Sequence, residues 1–209
     1  MLEFENYSEP RYRIGDSGGV IVGKSPKMVE LFRSINLLAS KPTTVLIRGE
    51  NGSGKDLVAR ALHVNGGRRG EFVPVDCASI PSSLFEAAFF GHEKGAFTGA
   101  YSAKKGYVER AQYGTLFLDE VAEMPVDMQS KLLRFLQERE VARVGSTDRK
   151  KIDTRVIAAT NRDLDMLIET GRFREDLFYR LNVFPVEVVP LRDRREDIVP
   201  ITDYLIEQF

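Results

Sequence analysis

The stretch that most constrains the fold is Gly49-Glu50-Asn51-Gly52-Ser53-Gly54-Lys55-Asp56. An apolar, β-branched run, Val45-Leu46-Ile47, precedes it, and a helical pattern, Leu57-Val58-Ala59-Arg60-Ala61-Leu62, follows. Strand, glycine-rich turn and helix form the setting that a phosphate-binding loop requires. Glycines let successive backbone N–H groups turn inward as an anion nest, and the following helix aims its positive dipole end at the same point. Lys55 would reach the outer phosphates as a point charge. Position 56 departs from the general pattern: Asp56 puts a carboxylate where Ser or Thr holds magnesium. A glycine-rich turn that merely caps a helix is the other reading of this stretch.

The rest of the chain decides between them. Ahead of the loop, Val20-Ile21-Val22-Gly23 leads into a helix from about Lys27 to Ala39, with Met28, Leu31, Phe32, Ile35 and Leu38 on one face. After it, Phe72 to Asp76 reads as a strand whose Pro74 points to a sheet edge or a bulge. A helix from Ser82 carries Leu84, Phe85, Ala88 and Phe89. Gly91 to Ala100 has neither helical nor strand period. Tyr113 to Glu120 is an apolar strand with an acidic end, and Pro125 opens a helix bearing Met128, Leu132, Leu133, Phe135 and Leu136. Val141–Val144 and Lys151–Arg155 pattern as a hairpin around Gly145-Ser146. Val156 to Asn161 is a buried strand with a polar end; a helix with Phe173, Leu177, Phe178 and Leu181, a short strand at Val186–Val189 and a helix from Ile198 follow.

Strands alternating with helices, several of them apolar throughout, predict an α/β fold: a parallel sheet covered by helices on both faces. Ligands of such sheets bind beyond the carboxyl ends of the strands. The glycine-rich loop, Asp119-Glu120 and Asn161 all fall at those ends. Nucleotide hydrolysis needs mainly positioning and charge stabilisation there. Asp119 is placed to hold magnesium and Glu120 to polarise the attacking water. An acidic strand end capping the next helix is the bland alternative. Asn161 suits either water orientation or an N-cap ahead of Asp163-Leu164. Arg174 and Arg180 suit either the flank of a ligand at a subunit boundary or surface pairing with Glu175 or Asp176.

Composition removes other classes. A net charge of −1 argues against a dedicated nucleic-acid surface, and the clusters Arg68-Arg69, Lys104-Lys105 and Arg149-Lys150-Lys151 read as solvated loops. The single cysteine, Cys77, excludes an internal disulfide and fits a reducing compartment. His63 and His92 are too isolated for a metal site. With no signal peptide and no membrane-length apolar run, the expected location is cytoplasmic.

Gly49–Asp56, Gly95-Ala96-Phe97-Thr98-Gly99-Ala100, Thr115–Glu120 and Arg174–Leu181 together resemble the central AAA+ ATPase domain of bacterial enhancer-binding proteins, which activate the sigma-54 form of RNA polymerase. The hexapeptide is the most specific part, and its flanks Phe90–Lys94 and Tyr101–Ala103 match as well. The resemblance runs from about Val20 to the end. Residues 1–19, polar with scattered aromatics and a Gly-Asp-Ser-Gly-Gly run, read as a linker or edge segment, and the resemblance implies an ATPase subdomain over 20–190 and the start of a truncated helical lid over 191–209. It implies ATP and Mg2+ as cofactors, with Val22, Gly23, Gly49, Glu50, Asn51, Gly52, Ser53, Gly54, Lys55, Asp56 and Leu57 at the nucleotide. Asp119 would serve the metal. Glu120, Asn161, Arg174 and Arg180 would be catalytic, the two arginines as fingers reaching a neighbour's γ-phosphate. Gly95 to Ala100 would form a mobile loop whose Phe97 and Thr98 touch the sigma factor. The implied partners are sigma-54 holoenzyme and copies of the same chain in a ring, usually a hexamer, with DNA bound only through a domain absent from these residues and no membrane contact. An acidic residue at position 56 is normal for the family, which usually has Glu there. One departure stands out: the family commonly has Asn where this chain has Asp76, and an ionised Asp cannot donate a hydrogen bond to Glu120. Competing readings are an AAA+ remodeller with another client, or a nucleotide-binding module without turnover.

Overall fold

The computed structural model describes residues 11–14 and 19–208. The expected linker residues 1–10 and 15–18 lie outside the described residues, as does Phe209. The chain divides into two compact units. One gathers the described residues up to Lys41, Ile47–Gly67 and those from Val186 onward; the other takes Pro42–Leu46 and Arg68–Pro185.

In the first unit, β1 (Arg11–Arg13) pairs antiparallel with β2 (Val20–Val22). Residues 11–13 fall within the stretch expected to be linker. Tyr12 gives them their anchor: its ring stacks on Phe32 at 4.8 Å, its hydroxyl donates to Asn36 at 2.6 Å, and Asn65 donates to it at 2.9 Å. Helix α1 (Pro26–Ala39) starts on an N-cap, Ser25, with Pro26 in its first turn, where the missing N–H costs nothing. Met28, Leu31, Ile35 and Leu38 are buried, as the periodicity predicts. Strand β3 (Val45–Arg48), whose first two residues belong to the other unit, feeds the glycine-rich loop, and α2 (Lys55–Val64) leaves it, packing on α1.

The second unit carries β4 (Phe72–Asp76), α3 (Ser82–Phe90), β5 (Gly91–His92), β6 (Lys104–Lys105), α4 (Tyr107–Arg110), β7 (Thr115–Asp119), α5 (Val126–Glu138), β8 (Glu140–Val141), β9 (Lys150–Lys151), β10 (Arg155–Thr160), α6 (Leu164–Glu169) and α7 (Glu175–Leu181). The chain then runs through β11 (Phe184–Glu187) to α8 (Ile198–Ile206). The main sheet has the order β11-β3-β10-β7-β4. Strands β4 and β10 flank β7 in parallel, with Thr115 opposite both Phe72 and Arg155. All six residues of β10 are buried, and so are Thr115–Leu118 of β7. Strand β4 ends the sheet order and its Pro74 is exposed, so the edge position expected from the proline is the one observed. Helices α3 and α5 bury Phe85, Phe89, Met128, Leu132, Phe135 and Leu136 in the same core as Val73, Leu116 and Ala158.

The hairpin is a correction. Pairing joins Glu140–Val141 to Lys150–Lys151, one residue earlier and shorter on both arms than the pattern suggests. Val144 bonds elsewhere: its N–H donates to Gly91 O at 2.9 Å and its carbonyl accepts from Glu93 N at 3.0 Å. Arg155 belongs to the central strand β10 instead. The apolar strand captured one arm and the Gly91 segment captured the other.

Glu109 ties this region together. Its nearly buried carboxylate accepts from Arg143 Nε at 2.5 Å and Nη2 at 3.0 Å, and from Lys150 Nζ at 3.4 Å. These charged donors, Arg143 first, hold the Glu109 carboxyl below the ordinary glutamate range despite its burial. A carboxylate with a depressed folded pKa stabilises fully above its unfolded pKa and loses that contribution as pH falls through the folded one. Glu109→Gln should therefore cost about 1–3 kcal/mol at pH 7. Urea denaturation should show the gap between wild type and variant closing as the pH drops below roughly 4. Phe135→Ala, which empties a site 1% exposed, should cost about 3–5 kcal/mol at either pH.

Candidate nucleotide site and exposed loop

The glycine-rich loop turns on two left-handed glycines, Gly52 at φ 76° and Gly54 at φ 100°, the latter capping α2. A Cβ on Gly52 would meet nothing within 4 Å, whereas one on Gly49 would lie 2.5 Å from Val188 O and 2.8 Å from Ser53 Oγ. Gly49 is thus a packing glycine, and Gly52 leaves open space beside the loop. Lys55 is only 6% exposed, and its Nζ donates to Gly49 O at 3.0 Å, Glu50 O at 3.2 Å and Asn51 Oδ1 at 3.4 Å. The lysine thereby lies folded over the loop rather than out in solvent. Asp56 is exposed and Leu57 half-buried. Glu50 pairs bidentately with Arg192, which holds its carboxyl below the ordinary range.

Two residues here were not singled out from the sequence. Arg194 is buried and donates to Ser53 O at 3.1 Å. Asp197, fully buried, accepts from Lys24 N at 2.6 Å, Ser25 N at 2.8 Å and Ser25 Oγ at 2.7 Å. It fixes the turn that follows Val22 and Gly23. In the sequence both sit inside a run of charges that reads as a solvated turn, and only their burial sets them apart.

In the other unit, Asp119 and Glu120 close β7. Glu120 adopts a left-handed backbone, φ 47° and ψ 50°, a conformation costing a non-glycine residue on the order of 1 kcal/mol. Glu120 N donates to Asp119 Oδ1 at 3.0 Å. Asn161, beyond the end of the neighbouring parallel strand β10, donates its N–H to Glu120 Oε2 at 3.4 Å. The structure thus brings Glu120 and Asn161 together. The capping reading of Asn161 does not hold, because Asp163 is the N-cap of α6, accepting from Asp165 N at 2.9 Å and Met166 N at 3.3 Å. Asp76 spends one carboxylate oxygen on Ala78 N at 3.0 Å, closing its own turn. Cys77 is buried as expected, and burial first, then the charges of Asp76, Asp119 and Glu120, push its thiol up.

Arg174 is the N-cap of α7 and its side chain forks onto Asp176, Nε to Oδ1 at 3.0 Å and Nη2 to Oδ2 at 2.7 Å. This is the pairing that the residue pattern alone favours. Arg180 is exposed and donates to Leu136 O at 3.1 Å. Arg174 caps the short helix that carries Arg180, and among the described residues their side chains hold different partners, Asp176 and Leu136 O.

The segment Gly95 to Ala100 closes on itself, Gly95 N donating to Ala100 O at 2.8 Å and Ala100 N to Phe97 O at 3.0 Å. Gly95 and Gly99 take φ of 82° and 101°. Ala100 is buried and anchors the base, Ala96 is half-buried, and Thr98 is exposed at the tip. Phe97 is 39% exposed, its ring edge-on to His92 at 5.0 Å.

Among the described residues no group of three or more His, Cys, Asp or Glu could hold a metal by itself. Among them, too, no helix is long and apolar enough to cross a membrane.

The sequence matches the family model described as "Sigma-54 interaction domain" over residues 21–187. The chain is 52% identical over 192 residues to the "Regulatory protein AtoC" of Escherichia coli (strain K12), covering 91% of this chain and 42% of that protein. It superposes on the crystal structure of NtrX from Brucella abortus in complex with ADP with a TM-score of 0.84 and 42% identity, over 90% of this chain and 41% of that one. The P-loop NTPase domain of a sigma-54 activator from E. coli aligns over 81% of this chain and 99% of its own, with TM-score 0.55 and 20% identity, a likeness of fold alone. The chain spans less than half the length of AtoC and NtrX. The fold is the expected α/β AAA+ P-loop fold, and the chain belongs to the sigma-54 interaction domain family.

Proposed function

We propose that this chain is the ATP-hydrolysing AAA+ domain of a cytoplasmic sigma-54-dependent transcriptional activator, working as a ring and remodelling sigma-54 holoenzyme through the Gly95–Ala100 loop. The observation that carries this reading is the loop: an aromatic and a threonine held out of the core on two left-handed glycines, in a chain of this family. An exposed aromatic on a glycine-hinged turn offers contact area to a partner.

In this reading the phosphates take over the donors of Lys55, replacing the loop carbonyls it now contacts. Gly52 leaves the loop open to them, and the N-terminus of α2 faces the same charge. Val22 and Gly23 flank the base. Asp119 would hold the Mg2+, which supplies charge neutralisation at the phosphates when bound. Glu120 orients and deprotonates the attacking water, and Asn161 keeps the Glu120 carboxylate directed. Arg174 reaches a neighbouring subunit's γ-phosphate. To do so it leaves Asp176, and because both side chains are over two-fifths exposed that pair is worth about 1 kcal/mol at most. Residues 20–190 form the ATPase part in this assignment, and those from 191 begin the lid.

Phe97→Ala and Thr98→Ala should keep ATP turnover near the wild-type level yet fail to capture sigma-54 holoenzyme in the presence of an ATP transition-state analogue. Holoenzyme still retained by both variants would remove the loop assignment. For the arginine, turnover per subunit should rise with protein concentration, and Arg174→Ala and Lys55→Ala should each fall roughly a thousandfold when alone. Mixed, they should recover part of the activity, since some interfaces then combine an intact Lys55 with an intact Arg174. A dead mixture of variants shown to co-assemble would sink the reading in trans.

A further inference from the structure

Helix α5 presents an apolar face to the core, with one exception. Gln129 is fully buried between Met128 and Leu132. Its amide is satisfied entirely by backbone. Nε2 donates to Met124 O and Arg172 O, both at 3.0 Å, and Oε1 accepts from Arg174 N at 2.9 Å. Met124 ends the short 3-10 turn Val121–Glu123 that begins directly after Glu120, where Glu123 N donates to Glu120 O at 2.9 Å. One side chain therefore bonds both to the segment leaving the acidic pair and to the segment presenting Arg174. Arg174 N precedes the first turn of α7, where an N–H has no helical acceptor.

We propose that Gln129 is a positioning residue for Arg174, locking its backbone to the segment that follows Glu120 so that the arginine each subunit offers its neighbour is aimed by a buried amide of its own subunit. The inference rests on the reading of Arg174 as acting on a neighbour. Other bonds hold the segment to its own neighbours: Arg172 N and Phe173 N donate to Leu167 O at 2.8 and 3.0 Å, and Phe178 N donates to Arg174 O at 3.0 Å. The three bonds of the Gln129 amide join the Arg172–Arg174 backbone to the turn that follows Glu120.

The test uses Gln129→Met, which keeps volume and removes all three bonds. It should bind ATP as the wild type does, measured by calorimetry, while turnover falls about a hundredfold, the scale of an ångström-sized misplacement of a reacting group. Subunit mixing then gives the direction. Gln129→Met mixed with Lys55→Ala should recover activity, because its own nucleotide site is sound and its partner contributes a well-placed arginine. Mixed with Arg174→Ala it should stay inactive, because neither contributes one. The opposite pattern, recovery with Arg174→Ala but not with Lys55→Ala, would put the defect in the variant's own nucleotide site and overturn the proposal, as would unchanged turnover. Full activity of Arg174→Ala alone would overturn the trans reading and this inference together; the expected loss there with a failed Gln129 pattern overturns only the inference. Amide exchange on the unmutated chain needs no variant to fold: the Arg174 amide should exchange more slowly than that of Glu175, and equal rates would also overturn the proposal.

Discussion

Burial of the central strands on both faces is the constraint that places everything else. Strand β10 exposes none of its six residues, and β7 exposes only its last. A strand in that position can carry polar side chains only where the sheet stops. Asp119, Glu120 and Asn161 stand at the first such positions on two adjacent parallel strands, and the register that pairs Thr115 with Arg155 sets the two ends side by side. Their meeting follows from the sheet rather than from any local signal. Thr160 is buried at that end of β10, and Arg155, which opens the strand, is its largest buried polar side chain. It is 1% exposed and donates from Nε to Thr43 O at 3.3 Å; burial, with Arg68 nearby, lowers its guanidinium to about 10.

This explains which parts of the protein could be read in advance. Apolar runs and glycine spacing report burial and backbone shape directly, so the strands of the main sheet, the loop at Gly49–Asp56 and the edge position of Pro74 were legible. The hairpin was not. Val141–Val144 and Lys151–Arg155 have strand-like composition, but composition does not say which partner a strand finds, and here β10 and the Gly91 segment competed for the same residues. Asp197 and Gln129 were missed for a related reason. A buried polar residue looks like a surface one until its bonds are seen. Gln129 carried a faint signal, since it interrupts an apolar stripe at helical spacing between Met128 and Leu136.

The exposed residues behave differently. Whether Arg174 pairs with Asp176 or serves elsewhere is a question that sequence left open, and the pairing is what the structure holds. Such a pair is cheap to exchange because water screens both groups. Glu120 lies at the other extreme: its left-handed backbone is held by the sheet end and by the turn that follows, and strain of that kind persists only where the surroundings over-determine it.

In the proposed reading, these features separate two demands that phosphate chemistry makes on a protein. Reacting charges must be free to leave their resting partners when the ligand supplies better ones, which favours weak, exposed contacts such as those of Arg174. The backbone under each charge must not move, which favours buried, fully satisfied contacts. Gln129 meets the second demand at low energetic cost. A buried amide with its bonds made adds little net stability, but any displacement of Met124, Arg172 or Arg174 would leave a polar group unpaired in an apolar core. The penalty for error, rather than the strength of any bond, is what defines the position of the arginine.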